Sequence, residues 1–122
     1  MKCTFSLVFS LIFVFIFSQE NIIPTSEAVN YVNKKVWIQG IVVSQKLSSQ
    51  EKHLNYMNLD KAYPNQIFTI VITNSHLKKK EFNLESLANK KVKFFGKIIW
   101  YEDKKGAKIL EIFNPEKIEI VE

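Results

Sequence analysis

Apolar side chains fall on alternate positions in five stretches of this chain, and that period of two predicts five strands. The densest is 63–73, YPNQIFTIVIT. Pro64 and Asn65 mark a turn, after which Phe68, Ile70 and Ile72 share one face and Thr69, Val71 and Thr73 the other. So many β-branched and aromatic residues suit a strand at the centre of a sheet. Residues 34–46 (KKVWIQGIVVSQK) form the first predicted strand, with Val36 and Ile38 alternating with Trp37 and Gln39. In 53–60 (HLNYMNLD), Met57 and Leu59 oppose Tyr56 and Asn58. Residues 91–101 (KVKFFGKIIWY) place Val92 and Phe94 between lysines, and 107–114 (AKILEIFN) is the fifth, extended by 117–121 after Pro115. Gly40 and Gly96 interrupt two of these runs, where a glycine predicts a bend or bulge.

Two segments depart from alternation. Residues 25–32 (TSEAVNYV) predict a short helix, capped by Thr25 or Ser26, with Ala28, Val29 and Val32 as its apolar stripe. Residues 84–89 predict a second, capped by Asn83 and following the charge run Lys78-Lys79-Lys80, which reads as a solvated face. Short turns without a helix between each pair of strands argue against a parallel α/β sheet. The expected fold is therefore mainly β: a five-stranded Greek-key OB-fold barrel, with a short helix between strands three and four and a short N-terminal helix. Long strands must bend to serve both halves of such a barrel, which is the use expected for Gly40 and Gly96. Phe68, Phe94 and Phe113 are expected in the core; Phe95, Trp100 and Tyr101 are expected to wrap against the fifth strand or the helix.

The first 18 residues are set apart. A basic start at Lys2, an apolar run over 7–17 and the small Ser18 have the order of a signal peptide, at 1–18. The run is short for a membrane span, so the protein is expected to be exported, periplasmic or secreted, with an uncleaved N-terminal anchor as the alternative. A tether at 19–24 and one domain at 25–122 follow. Removal of Lys2 lowers the formal charge from +5 to +4, and it removes with Cys3 the one cysteine, so no disulfide supports the domain. Every basic residue is lysine. Without arginine there is no planar fork to grip guanine or phosphate in two-toothed fashion.

The segments WIQGIVV, YMNLD with YPNQIFTIVI, LESLANKKVKFFGKI and ILEIFNPEKIEIV together resemble exported OB-fold domains of the tRNA-anticodon type, a nucleic-acid-binding family whose members also lie beside secreted nucleases. That resemblance covers 25–122 and implies nucleic-acid binding. An OB fold commonly binds on the face of its second and third strands, between the loops joining strands one to two and four to five. There aromatic rings stack on bases while lysines follow the phosphates. On this map the face offers Trp37, Gln39, Tyr56, Asn58, Thr69 and Val71, the loops offer Lys46, Lys52, Lys104 and Lys105, and Tyr63 stands at the rim. The expected function is low-specificity single-stranded nucleic-acid binding, DNA included, without catalysis. The alternative is a cell-envelope module binding a partner protein, peptide or glycan through the same face. No membrane insertion is expected once the signal is removed. No cofactor or metal is expected: His53 and His76 stand alone, and Asp60, Glu102 and Asp103 are turn acids without metal-ligand spacing. The related nucleases use arginines beside carboxylates, and this chain has no arginine to supply.

Overall fold

The structure, a computed structural model, describes residues 21–48 and 53–121; the signal segment and Lys52 lie outside them. Among the described residues seven strands occur: β1 (Ile22–Pro24), β2 (Lys35–Lys46), β3 (Leu54–Leu59), β4 (Phe68–Thr73), β5 (Lys91–Glu102), β6 (Lys108–Phe113) and β7 (Lys117–Ile120). The fold is mainly β, as the alternation predicts. The five expected strands are β2 to β6. Ile22–Pro24, within the stretch read as a tether, adds a parallel strand beside Trp37–Gln39 of β2. After a break at Asn114–Glu116, β7 continues the antiparallel pairing with β5 that β6 begins.

The two long strands each change partner midway, and the ring of pairings closes because they do. Residues Lys35–Ile41 of β2 pair with Lys91–Lys97 of β5; from Val42 onward β2 pairs with β3. In β5 the switch to β6 comes at Ile98. Antiparallel β3–β4 and parallel β4–β6 complete the circuit. Gly40 and Gly96 stand just before these switches, yet neither is a bulge. Both hold regular register in the β2–β5 pair, and the irregularity falls instead between Val42 and Ser44. What the glycines provide is room. A Cβ at Gly96 would come within 2.6 Å of the Ile112 side chain, and one at Gly40 within 3.1 Å of the Asp60 carboxylate and the Leu59 side chain.

Inside the ring, Ile38, Val42, Met57, Leu59, Phe68, Ile70, Ile72, Phe94, Ile98 and Ile112 are sealed from solvent. Phe113 is not among them. At 48% exposure it corrects the expectation of a core residue: in β6 Leu110 and Ile112 point inward, so parity sends Phe113 outward despite its hydrophobicity. Trp100 and Tyr101, expected to be wrapped, are likewise half exposed. Trp100 stands opposite Leu110, the last residue of β6 that β4 flanks, and Tyr101 lies one step beyond it, where the β5–β6 ladder runs on alone to Glu102 and Lys108.

The helices also differ from expectation. Among the described residues the α-helix is α1 (Asn74–Lys80), directly after β4. Thr73 caps it by accepting from the His76 amide at 3.2 Å, the three lysines form its last turn where the helix dipole favours cations, and Glu81 ends it in the left-handed region. Residues 84–89, the expected helix, supply only a 3₁₀ turn over Leu84–Leu87, with Asn83 capping as predicted. Thr25–Tyr31 is also 3₁₀. Its expected caps fail, because the preceding residue is the extended Pro24 and the Thr25 hydroxyl donates to Asp60 Oδ2 at 2.5 Å. Asp60 Oδ1 accepts from the Ile41 amide at 2.8 Å, so this turn acid serves the packing of the N-terminal segment on β2. No helix of the described residues is long and apolar enough to cross a membrane.

Candidate nucleic-acid interface

The outward positions of β2, β3, β4 and β6 line up in two rows. The first runs Lys46, Tyr56, Val71, Phe113; the second runs Ser44, Asn58, Thr69, Glu111 and continues to Ile99 of β5. In the first row Val71 lies buried between two rings that remain open, Tyr56 at 36% exposure and Phe113. Each can present a flat face to a ligand. Lys46 ends the row at the rim, and Tyr63, 73% exposed, stands in the β3–β4 connection with its amide donating to Ser44 Oγ at 3.3 Å.

The second row is committed to the protein itself. Thr69 Oγ1 donates to Asn58 Oδ1 at 2.9 Å, and Asn58 Nδ2 donates to Ser44 Oγ at 2.9 Å. This chain of bonds ties β2, β3 and β4 together and leaves Asn58 and Thr69, both buried, with little capacity for a ligand. They fix the floor beneath Tyr56.

Glu111, which the sequence reading did not single out, completes that row. Its residue is 8% exposed, and among the described residues no hydrogen bond or ion pair reaches its carboxylate. Burial raises its pKa above the ordinary carboxylate value; the pKa of the Tyr56 phenol is raised too, by burial first, then by Tyr101, and least by the Glu111 charge. The signal was present in ILEIF, where one charge interrupts an apolar strand on the face opposite Leu110 and Ile112. A raised carboxylate pKa means that the folded state holds the proton more tightly than the unfolded state. Stability therefore falls as pH rises from the ordinary carboxylate value of 4.5 through the folded pKa. Glu111→Gln is expected to raise the thermal midpoint at pH 7 and to lose that gain in acid below 4.5. Equal effects at both pH values, read by circular dichroism, would count against this.

The remaining expected site residues separate. Trp37 and Gln39 do not join this face. They lie on the half of β2 that pairs with β5, where Trp37, 7% exposed, packs on Phe95 at 5.4 Å between ring centres and beneath the Lys93 ammonium at 4.5 Å. The partner switch at Val42 is the reason: one strand serves two faces, and alternation alone cannot show it. Lys104 and Lys105 occupy the β5–β6 turn, which Asp103 closes by accepting from the Lys105 and Ala107 amides at 2.9 and 2.8 Å. Tyr101 rises from the same hairpin and joins the face that Tyr56 begins. His76, through Nε2, contacts the Pro115 carbonyl at 2.7 Å. An open groove of about 520 Å³ beside α1 is lined by Asn74, Leu77, Lys78, Glu81, Phe82 and Asn83.

With this geometry the chain can be set beside known structures. It superposes on a chain described as an aspartyl-tRNA synthetase of Leishmania major Friedlin, with a TM-score of 0.58 at 15% identity, over 84% of this chain and 21% of that one. It superposes also on the aspartyl-tRNA synthetase of Entamoeba histolytica, with a TM-score of 0.58 at 18% identity and the same coverage. A third match is the OBody AM3L09 bound to hen egg-white lysozyme, with a TM-score of 0.58 at 16% identity, over 84% of this chain and 95% of that one. The fold is an OB fold. This chain spans about a fifth of the length of the two synthetases, and at these identities the likeness establishes the fold alone. No protein family and no curated protein matches the sequence.

Proposed function

We propose that this protein is an exported, non-catalytic OB-fold domain that binds single-stranded nucleic acid with low sequence specificity. Its strands β2 to β6 are read as the five-stranded Greek-key barrel of that fold. The observation that carries the reading is the row of open rings, Tyr56 and Phe113, flanking Val71 on the face where OB folds take their ligands, with Lys46 at its end. Rings so placed stack on any base, whereas the bonds that would discriminate bases are spent between Asn58, Thr69 and Ser44. The likeness to two aspartyl-tRNA synthetases supports the ligand class, because those proteins are named for an RNA.

Tyr56→Ala is expected to weaken binding of a labelled oligonucleotide by about 1–3 kcal/mol, the worth of one stacked base, measured by fluorescence anisotropy at low salt. An absence of binding by the full chain, or an unchanged affinity in the variant, sinks the reading. Export rests on the apolar segment at 1–18; a mature chain whose mass starts at Gln19 supports it, and an intact Met1 counts against it.

Glu111 favours a second reading, an envelope module for a partner protein, peptide or glycan. A carboxylate in the middle of a half-apolar face opposes a polyanion, and a similar OB scaffold is bound to lysozyme. Under that reading Tyr56→Ala and Phe113→Ala abolish crosslinking to one envelope protein and leave oligonucleotide binding as it was.

A further inference from the structure

The basic residues of the sheet gather away from the row of open rings. Alternation in β2 and β5 turns Ile38, Val92 and Phe94 inward and so turns Lys35, Lys91, Lys93 and Lys97 outward, around the pair Trp37 and Phe95. Antiparallel pairing with β7 adds Lys117 beside Phe95. Against these five lysines stand Glu119, which meets Lys93 at 3.2 Å, and Glu116 at the edge, which meets Lys35 at 2.6 Å. Lys91, Lys97 and Lys117 make no ion pair among the described residues. The Tyr56 face, by contrast, carries Lys46 and the opposing Glu111.

We propose that the outer face of β1, β2, β5 and β7 is a second binding surface, one that takes the phosphate backbone of single-stranded nucleic acid without regard to sequence. It rests on the reading above for the class of ligand, and not for the face.

Three features select phosphates over bases. Lys93 lies over the Trp37 ring at 4.5 Å and Lys117 over the Phe95 ring at 5.6 Å, so the rings hold ammonium groups outward and are themselves covered. Lys91 and Lys93 stand about 6.6 Å apart along β5, a spacing comparable to that of successive phosphates in an extended strand, and Lys97 follows about two such steps beyond Lys93, with Phe95 between. Lysine is a compact point charge, which neutralises phosphate without reading a base. Lys35 also lies directly opposite Lys97; the Glu116 carboxylate already meets Lys35, so the ammonium left for a phosphate in that pair is the one on Lys97.

The test is binding of a fluorescein-labelled 20-residue oligothymidine to the full chain, by anisotropy between 50 and 200 mM KCl. Replacing three lysines together, as K91Q/K97Q/K117Q, is expected to lower affinity at least tenfold at 50 mM. It is expected to flatten the plot of log affinity against log salt by about 2, at about 0.7 per phosphate contact. The arginine triple K91R/K97R/K117R keeps the charge and is expected to keep both affinity and slope, which separates charge from any fault in folding. Tyr56→Ala changes affinity with the slope preserved if both surfaces act. Wild-type affinity and slope in the glutamine triple overturn this surface and leave the Tyr56 reading intact. Loss of binding in the arginine triple as well, or binding to phosphatidylserine vesicles in preference to the oligonucleotide, also overturns it.

Discussion

Replacing Phe94 by alanine is expected to lower the free energy of unfolding by about 3–5 kcal/mol, the usual loss for a buried phenylalanine. The ring is sealed from solvent at the centre of the β2–β5 pair, opposite Ile38, which is equally sealed. Domains of this size hold about 5–15 kcal/mol in all, so the variant should stand near its unfolding midpoint under mild conditions. Urea titration followed by circular dichroism measures the loss. Phe113→Ala in parallel should cost about 1 kcal/mol or less, because that ring is half in water already. Similar losses in the two variants would contradict the inward and outward assignment on which the binding face depends.

Gly96→Val carries the second large effect. Gly96 points into the ring beneath Ile112, and a Cβ there would meet Ile112 Cγ2 at 2.6 Å and the Pro115 backbone at 3.5 Å. Valine adds two further methyl groups, so the cost should reach the upper end of the about 1–3 kcal/mol typical of overpacking. The β6–β7 connection would be pushed from β5, and with it the amide of Glu116, which donates to the Phe95 carbonyl at 2.7 Å. Trimming the neighbour with Ile112→Ala should recover part of the loss in the double variant, a coupling of the kind expected between residues in contact. Strict additivity would show that the two side chains do not collide.

These residues also mark how far the linear pattern could be read. Phe68, Ile70, Ile72 and Phe94 were legible as core because a period of two, once set by the strongest strand, assigns a face to each neighbour. Phe113 is as hydrophobic as a core residue, yet that same parity turns it outward. Tyr56 was legible as an open ring for the same reason that Met57 and Leu59 were legible as buried. Glu111 was overlooked, although parity places it beside Thr69 once β6 is known to pair with β4. The helix α1 is not legible in the sequence, because its cap, Thr73, reads equally well as the end of a strand, and its last turn reads as a charge run.

The alternating segments by themselves predicted a mainly β chain, the places of five of the seven strands described, the inward side of β4 and more extended chain beyond Pro115. Local periodicity carries that much, since it records which side of each strand avoids water. Only the tertiary structure decided which outward residues share a face. At Val42 and Ile98 the long strands leave one partner for another, so Trp37 and Tyr56, outward alike, part company. The rings thus gather around a buried carboxylate, and the lysines around a covered tryptophan, because side-chain parity is local while strand pairing is not.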